Sequence, residues 1–223
     1  MMTTHIQTPF KTNVLIADDH PLFRAAMRRA LHDVIDGEIL EVDAFQGARL
    51  QLQENQDIEL VFLDLSMPGN EGLTGLTQLR NEFPNTLVVI VSAQDEAGLI
   101  RRAMTLGSSG YIPKSTPLPQ IVEAVKTVLN GENWLPSDIV LDVAETQEDQ
   151  FLAKLAQLTP HQFTVLKLIA NGLLNKQIAH ELSISESTVK QHVSAVLKKL
   201  NVINRTQASV MFRQIMNTEP TAK

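Results

Sequence analysis

The stretch IELVFLDLSMPG, residues Ile58–Gly69, decides the fold. Its centre, Val61-Phe62-Leu63, is apolar without alternation, and it closes on an aspartate, Asp64, before a Pro68-Gly69 turn. An unbroken apolar run is what a strand looks like when helices cover both faces of a parallel sheet. A carboxylate inside such a core is costly unless something compensates it. Asp64 therefore sits at an exposed lip of the strand or meets a cation there. Four further strand-like runs surround it: NVLIA (Asn13–Ala17), TLVVIVS (Thr86–Ser92) and GYIP (Gly110–Pro113), which are apolar runs, and ILEVDAF (Ile39–Phe45), which alternates. Helical spacing follows each one. Leu22, Phe23, Ala26, Met27, Ala30 and Leu31 mark the first helix, Ala48–Leu52 a short second, and GLTGLTQLRNEF a third that stops before Pro84. Glu96–Leu106 ends at Gly107, and LPQIVEAVKTVLNG ends at Gly131. Five strand–helix units in order predict an α/β doubly wound, five-stranded parallel sheet. In such a sheet the carboxyl ends of the strands line a ligand crevice, and Asp64 lies at one of these ends.

Beyond Gly131 the character changes. Residues 132–157, with Pro136 and the acidic stretch ETQEDQ (Glu145–Gln150), read as a linker with a short helix around Ile139–Ala144. Four helical patterns and no strand follow: Pro160–Asn171, Asn175–Leu182, Glu186–Leu200 and Arg205–Met216. Charge divides at the same place. The chain through Gln157 carries 11 Lys and Arg against 22 Asp and Glu, and the rest carries 8 against 3, so a net −6 is made of −11 and +5. A basic C-terminal part fits an anionic partner or a solvated charged surface. The 223 residues suit two ordinary domains, and 43% hydrophobic with 20% charged residues fits a globular chain. No apolar run approaches the ~18 residues of a membrane span. The N-terminus, MMTTHIQTPFKTN, lacks the basic-then-apolar order of a secretory signal. With no cysteine there are no disulfides or thiolate metal sites. These features predict a cytoplasmic protein without membrane partners.

Polar residues also end other strands: Asp18-Asp19 after the first, Ser92 at the fourth, and Lys114 after the fifth. In this fold they converge with Asp64. Clustered carboxylates repel one another unless a cation joins them, and hard oxygen donors suit Mg²⁺. Carboxylates, a hydroxyl and a lysine together suit phosphoryl transfer. The blocks VLIADDH, VFLDLSMPG, VIVSA and GYIPKS, in this order at these strand ends, resemble the signature of response-regulator receiver domains over about Asn13–Asn130. The resemblance implies a flavodoxin-like receiver (residues 11–131) in which Asp64 takes a phosphoryl group from a sensor histidine kinase. It implies that Asp18 and Asp19 bind Mg²⁺ with Asp64 and the Ser66 carbonyl. Ser92 would bond the phosphoryl oxygens, Lys114 would pair with their charge, and Tyr111 would turn inward as the aromatic switch. Taken singly, each residue has an ordinary role: a helix cap, a surface lysine, a packed ring. Jointly they mark a site.

In the basic part, Val189, Val193, Val196, Leu197 and Leu200 form one buried stripe, and Ser185 is a good N-cap before them. Thr188, Lys190, Gln191, Ser194 and Lys198 fall mainly on the other side, as a helix entering a major groove requires. Leu158–Ala208, above all NKQIAHELSISESTVKQHV, is similar to the LuxR/NarL-type helix-turn-helix. That implies a four-helix, all-α DNA-binding domain (residues 158–217) with Glu186–Leu200 as recognition helix. It implies base reading by Lys190, Gln191 and Ser194, and phosphate contacts from Lys176, Thr188, His192, Lys198 and Arg205. The last helix would offer the face of a DNA-bound dimer. Two departures stand out: His161-Gln162 replaces a usual Arg-Glu pair, and Asn201 stands where Gly is frequent. Asn tolerates the left-handed geometry that position takes.

Together the resemblances imply a two-component response regulator of the NarL/FixJ type, controlled by phosphorylation, Mg²⁺-dependent, and dimeric on double-stranded DNA half-sites. It would not be an enzyme beyond its own phosphorylation and dephosphorylation. Haloacid-dehalogenase-type phosphatases carry an aspartate two residues after the nucleophile, where this chain has Ser66, and no GxxxxGK[ST] loop is present. The alternative is a phosphorylation-independent DNA binder whose receiver serves only for docking.

Overall fold

The computed structural model describes residues 9–137, 139 and 147–216. Among these residues, five strands and ten helices follow in order: β1 (Asn13–Ala17), α1 (Pro21–Leu31), β2 (Ile39–Val42), α2 (Phe45–Glu54), β3 (Ile58–Asp64), α3 (Thr74–Glu82), β4 (Leu87–Ser92), α4 (Ala97–Thr105), β5 (Gly110–Pro113), α5 (Leu118–Leu129), α6 (Gln147–Leu155), α7 (Pro160–Ala170), α8 (Asn175–Glu181), α9 (Glu186–Leu200) and α10 (Arg205–Met216). The strands form one parallel sheet in the order β2-β1-β3-β4-β5, the flavodoxin-like doubly wound order.

β3 lies at the centre and explains its own sequence. Leu60 and Phe62 point into one apolar layer with Val14, Ile16, Val89 and Val91, covered by α1 and α5. Val61 and Leu63 point into the other with Leu15, Val88 and Ile90, covered by α2, α3 and α4. Both faces are dry, so alternation has no reason to appear. Register then sets the site. Ala17 pairs with Leu63 and Asp64 with Val91, which brings Asp18, Asp64 and Ser92 to one end of adjacent strands. Ser92 pairs with Pro113, so Lys114 joins them from β5.

Two elements differ from expectation. The second strand stops at Val42, and Phe45 opens α2, its N–H donated to the Pro68 carbonyl at 2.9 Å. The expected helix around Ile139–Ala144 lies, apart from Ile139, outside the described residues; α6 (Gln147–Leu155) forms within the stretch expected to be linker. α6 packs between α4 and α9 through Phe151, Leu152 and Leu155, each nearly fully buried. α7 meets α3, and the Leu73 N–H reaches the Met216 carbonyl at the end of α10 (3.4 Å). One apolar cluster therefore runs from the sheet into Phe163, Phe212 and Met216 of the basic half.

In that half, α8 and α9 form the helix-turn-helix. The Ser185 hydroxyl accepts the Thr188 N–H at 3.1 Å, so it caps α9 as expected. Asn201 closes α9 in the left-handed region (φ 55°, ψ 48°), the geometry anticipated for it. Gln162 completes a capping box on α7 with Thr159 and also accepts from Lys199 Nζ at 2.9 Å. The departure from Arg-Glu therefore leaves the start of α7 hydrogen-bonded.

Candidate functional site

The acidic pocket forms where β1 and β3 end. Asp64 and Asp18 are each 1% exposed, and Lys114 from β5 bridges them: its Nζ lies 2.9 Å from Asp64 Oδ2 and 2.8 Å from Asp18 Oδ2. The same ammonium sits 5.3 Å from the centre of the Phe23 ring. A cation does meet Asp64, and it is a lysine of the fold itself. Burial raises the Asp64 pKa above the ordinary carboxylate value; the hydrogen bond from Lys114, the Ser66 N–H (3.1 Å) and the lysine charge oppose that, and Asp18 adds to it. Burial thus opposes the ionisation of Asp64, and Lys114 favours it.

Backbone and side chains fix the frame. Asn70 donates to the Asp64 carbonyl at 2.8 Å and accepts the Gly75 N–H at 3.0 Å, pinning the loop between β3 and α3. Arg24 donates to the Asp18 carbonyl at 2.6 Å. Lys114 is tied to β4 through its own N–H and the Ser92 carbonyl (2.7 Å). Ser92 is fully buried, and its hydroxyl accepts the Gln94 N–H at 3.2 Å. Tyr111 is fully buried and donates its hydroxyl to the Gln94 carbonyl at 2.8 Å. Burial pushes that hydroxyl's pKa well up, so it remains a donor. The ring therefore lies inward in this structure.

The donor set fits a divalent cation. Asp18, Asp19, His20 and Asp64 each offer an atom within 4.8 Å of the others. Asp18 Oδ2 and Asp19 Oδ1 are buried yet make no well-aligned hydrogen bond, although Lys114 Nζ and His20 Nδ1 lie 2.8 and 2.6 Å away. Carboxylate oxygens left short of partners in a common pocket suit a hard ion. Ser66 is adjacent in the loop. Two residues here escaped the reading of the sequence. Asn70 gave no signal, since a lone amide in a loop has no pattern. His20 is adjacent to Asp18-Asp19 and could have been found by asking what the next side chain faces.

On the basic half, Lys176, Lys190, Gln191, Ser194 and Lys198 are exposed, and the outer face of α9 is open to solvent. Lys190 is paired with Glu186 one turn back (3.4 Å). The other three expected DNA contacts are half-buried and internally engaged. Thr188 is bonded to Ser185, and His192 stacks on His161 with ring centres 6.2 Å apart. Arg205 donates to the Leu173 carbonyl at 2.6 Å and to Asn175 at 3.4 Å. No helix among the described residues is long and apolar enough to cross a membrane.

Comparison with known proteins agrees with both halves. The family model for the response regulator receiver domain matches residues 14–126, and that for bacterial regulatory proteins of the luxR family matches residues 156–212. A glycerol metabolism activator of Pseudomonas putida is 44% identical, over 87% of this chain and 92% of its own length. The nitrate/nitrite response regulator protein NarP of Escherichia coli is 34% identical, over 93% and 96%. Among solved structures, the RcsB response regulator of Salmonella typhimurium, described in terms of its DNA interaction, shares the fold at a TM-score of 0.54 and 23% identity, over 91% and 99%. The chain belongs to the two-component response regulators of the NarL/NarP type, which join a receiver domain to a LuxR-type helix-turn-helix DNA-binding domain.

Proposed function

We propose that Asp64 is the phosphoacceptor of this response regulator and that its phosphorylation controls dimerisation on DNA. The observation that carries the reading is the convergence of Asp18, Asp19, Asp64 and Lys114 where β1, β3 and β5 end. A carboxylate oxygen of Asp64 attacks the phosphorus of a phosphohistidine on a sensor kinase. The phosphorus–nitrogen bond breaks, and the histidine leaves with the electron pair and takes up a proton. Asp18, Asp19, Asp64 and the Ser66 carbonyl would hold Mg²⁺, which when bound neutralises charge on the phosphoryl oxygens. Lys114 exchanges part of its contact with Asp64 for a phosphoryl oxygen, and Ser92 donates its hydroxyl to another. Ser92 and Tyr111 share the Gln94 backbone, so a shift of Ser92 is felt by the ring and by α4 behind it.

The exposed outer face of α9 favours control through dimerisation over unmasking of base-reading side chains. Lys190, Gln191 and Ser194 would read bases, with Lys176 and Lys198 on phosphates. Thr188, His192 and Arg205 would add backbone contacts beside their internal ones. α10 would form the dimer face, the two protomers meeting half-sites of matching symmetry. The solved structures of similar fold include one of two RcsB dimers bound to two parallel DNAs. The test is sedentation-type sizing and DNA anisotropy with and without a small phosphodonor and Mg²⁺. Phosphodonor-dependent dimers with tighter DNA binding, both lost in Asp64→Asn, are expected. Equal DNA binding and equal size in all four conditions would transfer support to the docking-only receiver.

A further inference from the structure

We propose that the start of the linker is a working part of the receiver sheet, and that Trp134 carries the state of Tyr111 toward the DNA-binding half. The inference rests on reading Asp64 as the phosphoacceptor and Tyr111 as the switch. β5 ends the order of named strands, so its outer N–H and C=O groups need other partners. The linker supplies them. The Trp134 N–H donates to the Ser109 carbonyl at 3.2 Å, and the Trp134 carbonyl accepts the Tyr111 N–H at 3.1 Å. These two bonds make a parallel bridge between Trp134 and Gly110. A Cβ on Gly110 would lie 3.1 Å from the Trp134 carbonyl oxygen, so the glycine is what lets the two backbones meet this closely. Tyr111 is therefore held twice: its hydroxyl by the Gln94 carbonyl and its N–H by the linker.

Local sequence builds the bridge. Gly131 takes the left-handed conformation after α5 (φ 86°), and the Gly131 and Glu132 N–H groups donate to the Val128 and Thr127 carbonyls at 3.0 and 3.1 Å. This turn sends the chain back along β5. Trp134 packs on the apolar layer under α1 and α5, and Leu135 on the cluster of the opposite face, as consecutive residues of a strand do. Pairing stops there, because the next N–H directed at β5 would belong to residue 136, a proline. A bridge of two bonds at a sheet edge opens at far lower cost than a full ladder. Movement of the Tyr111 ring displaces its own peptide, and the bridge passes that displacement to the chain leading to α6, which packs on α9.

Trp134 is the chain's single tryptophan, so its emission reads the bridge directly. Fluorescence of the full chain is followed with acetyl phosphate and Mg²⁺ while intact mass counts the adduct. A change in emission that tracks the adduct, absent in Asp64→Asn, is expected. Anisotropy on a duplex selected by the wild type from a random-sequence pool then compares the phosphodonor-dependent tightening in wild type, Trp134→Ala and Gly110→Ala. The last pushes the Trp134 carbonyl away from β5 without removing a side chain. Both variants should form the adduct at the wild-type rate, which shows a folded receiver, and lose at least about threefold of the tightening, whereas Trp134→Phe should keep it. An adduct formed without change in emission, or full tightening in both variants, would overturn the inference while leaving phosphorylation of Asp64 intact. Absence of an adduct in the wild type would remove the phosphorylation and the inference with it.

Discussion

At the residue scale, the pocket is a balance among like charges held by one lysine. Lys114 is the cation for two carboxylates that are 1% exposed, so Lys114→Ala leaves both buried and uncompensated. We expect a loss of roughly 3 kcal/mol by urea unfolding in chelator, partly restored by millimolar Mg²⁺. An unchanged midpoint would mean that water already screens the pair. Asp64 carries the opposite sign. Its pKa is raised in the fold above the ordinary 3.8, so below 3.8 folded and unfolded chains are both protonated and the ionisation penalty is absent. As pH rises from there through the raised value, the unfolded chain ionises first and stability is lost. In metal-free buffer Asp64→Asn should therefore be more stable than wild type at neutral pH, seen as a higher Tm. The gap should close as pH falls toward 3.8, and parallel pH curves would contradict it. Asp18, Asp19, Asp64 and Lys114 were legible in the sequence because each breaks an apolar run at its end. Asn70 was not, because its role arises from what the fold sets opposite it.

At the element scale, the loop between β3 and α3 packs closely against the first turn of α3. A Cβ on Gly75 would collide with the Asn70 side-chain oxygen and lie 2.9 Å from the Phe45 ring. Asn70 holds the Asp64 carbonyl, so Gly75→Ala should cost about 1–3 kcal/mol and slow phosphorylation as well. Thermal melts together with the rate of adduct formation check this; a full-rate, wild-type-like variant would show that the loop gives way freely. The strands and most helices were legible because buried parallel strands and amphipathic helices have different periods. β2 was read three residues too long because Asp43-Ala44-Phe45 continues the alternation, whereas Phe45 turns inward to start α2. α6 was read as linker because ETQEDQ is polar and acidic. Its helical register is set by burial of Phe151, Leu152 and Leu155 against partners far away in the chain.

At the scale of the whole molecule, charge and packing divide the labour. The acidic sheet domain carries the pocket and the basic helices carry the open face of α9, while α6 joins them through one apolar cluster. That joining was not legible, since contacts of α6 with both α4 and α9 depend on long-range geometry and not on local pattern. DNA affinity should fall steeply with salt, with a log–log slope of about −0.9 for each phosphate contact. Lys198→Ala should flatten that slope by about one contact per protomer without changing which sequence is preferred, whereas Gln191→Ala should relax the preference. Anisotropy titrations at several salt concentrations separate the two; a slope unchanged in Lys198→Ala would take that lysine off the phosphate backbone. The central claim is that Asp64 accepts a phosphoryl group, and intact mass after incubation with acetyl phosphate and Mg²⁺ tests it most directly. The account predicts one base-labile phosphoryl adduct in the wild type, and none in Asp64→Asn or in chelator. An adduct of the same mass in Asp64→Asn, or no adduct in wild type from either acetyl phosphate or a phosphorylated histidine kinase, would contradict it.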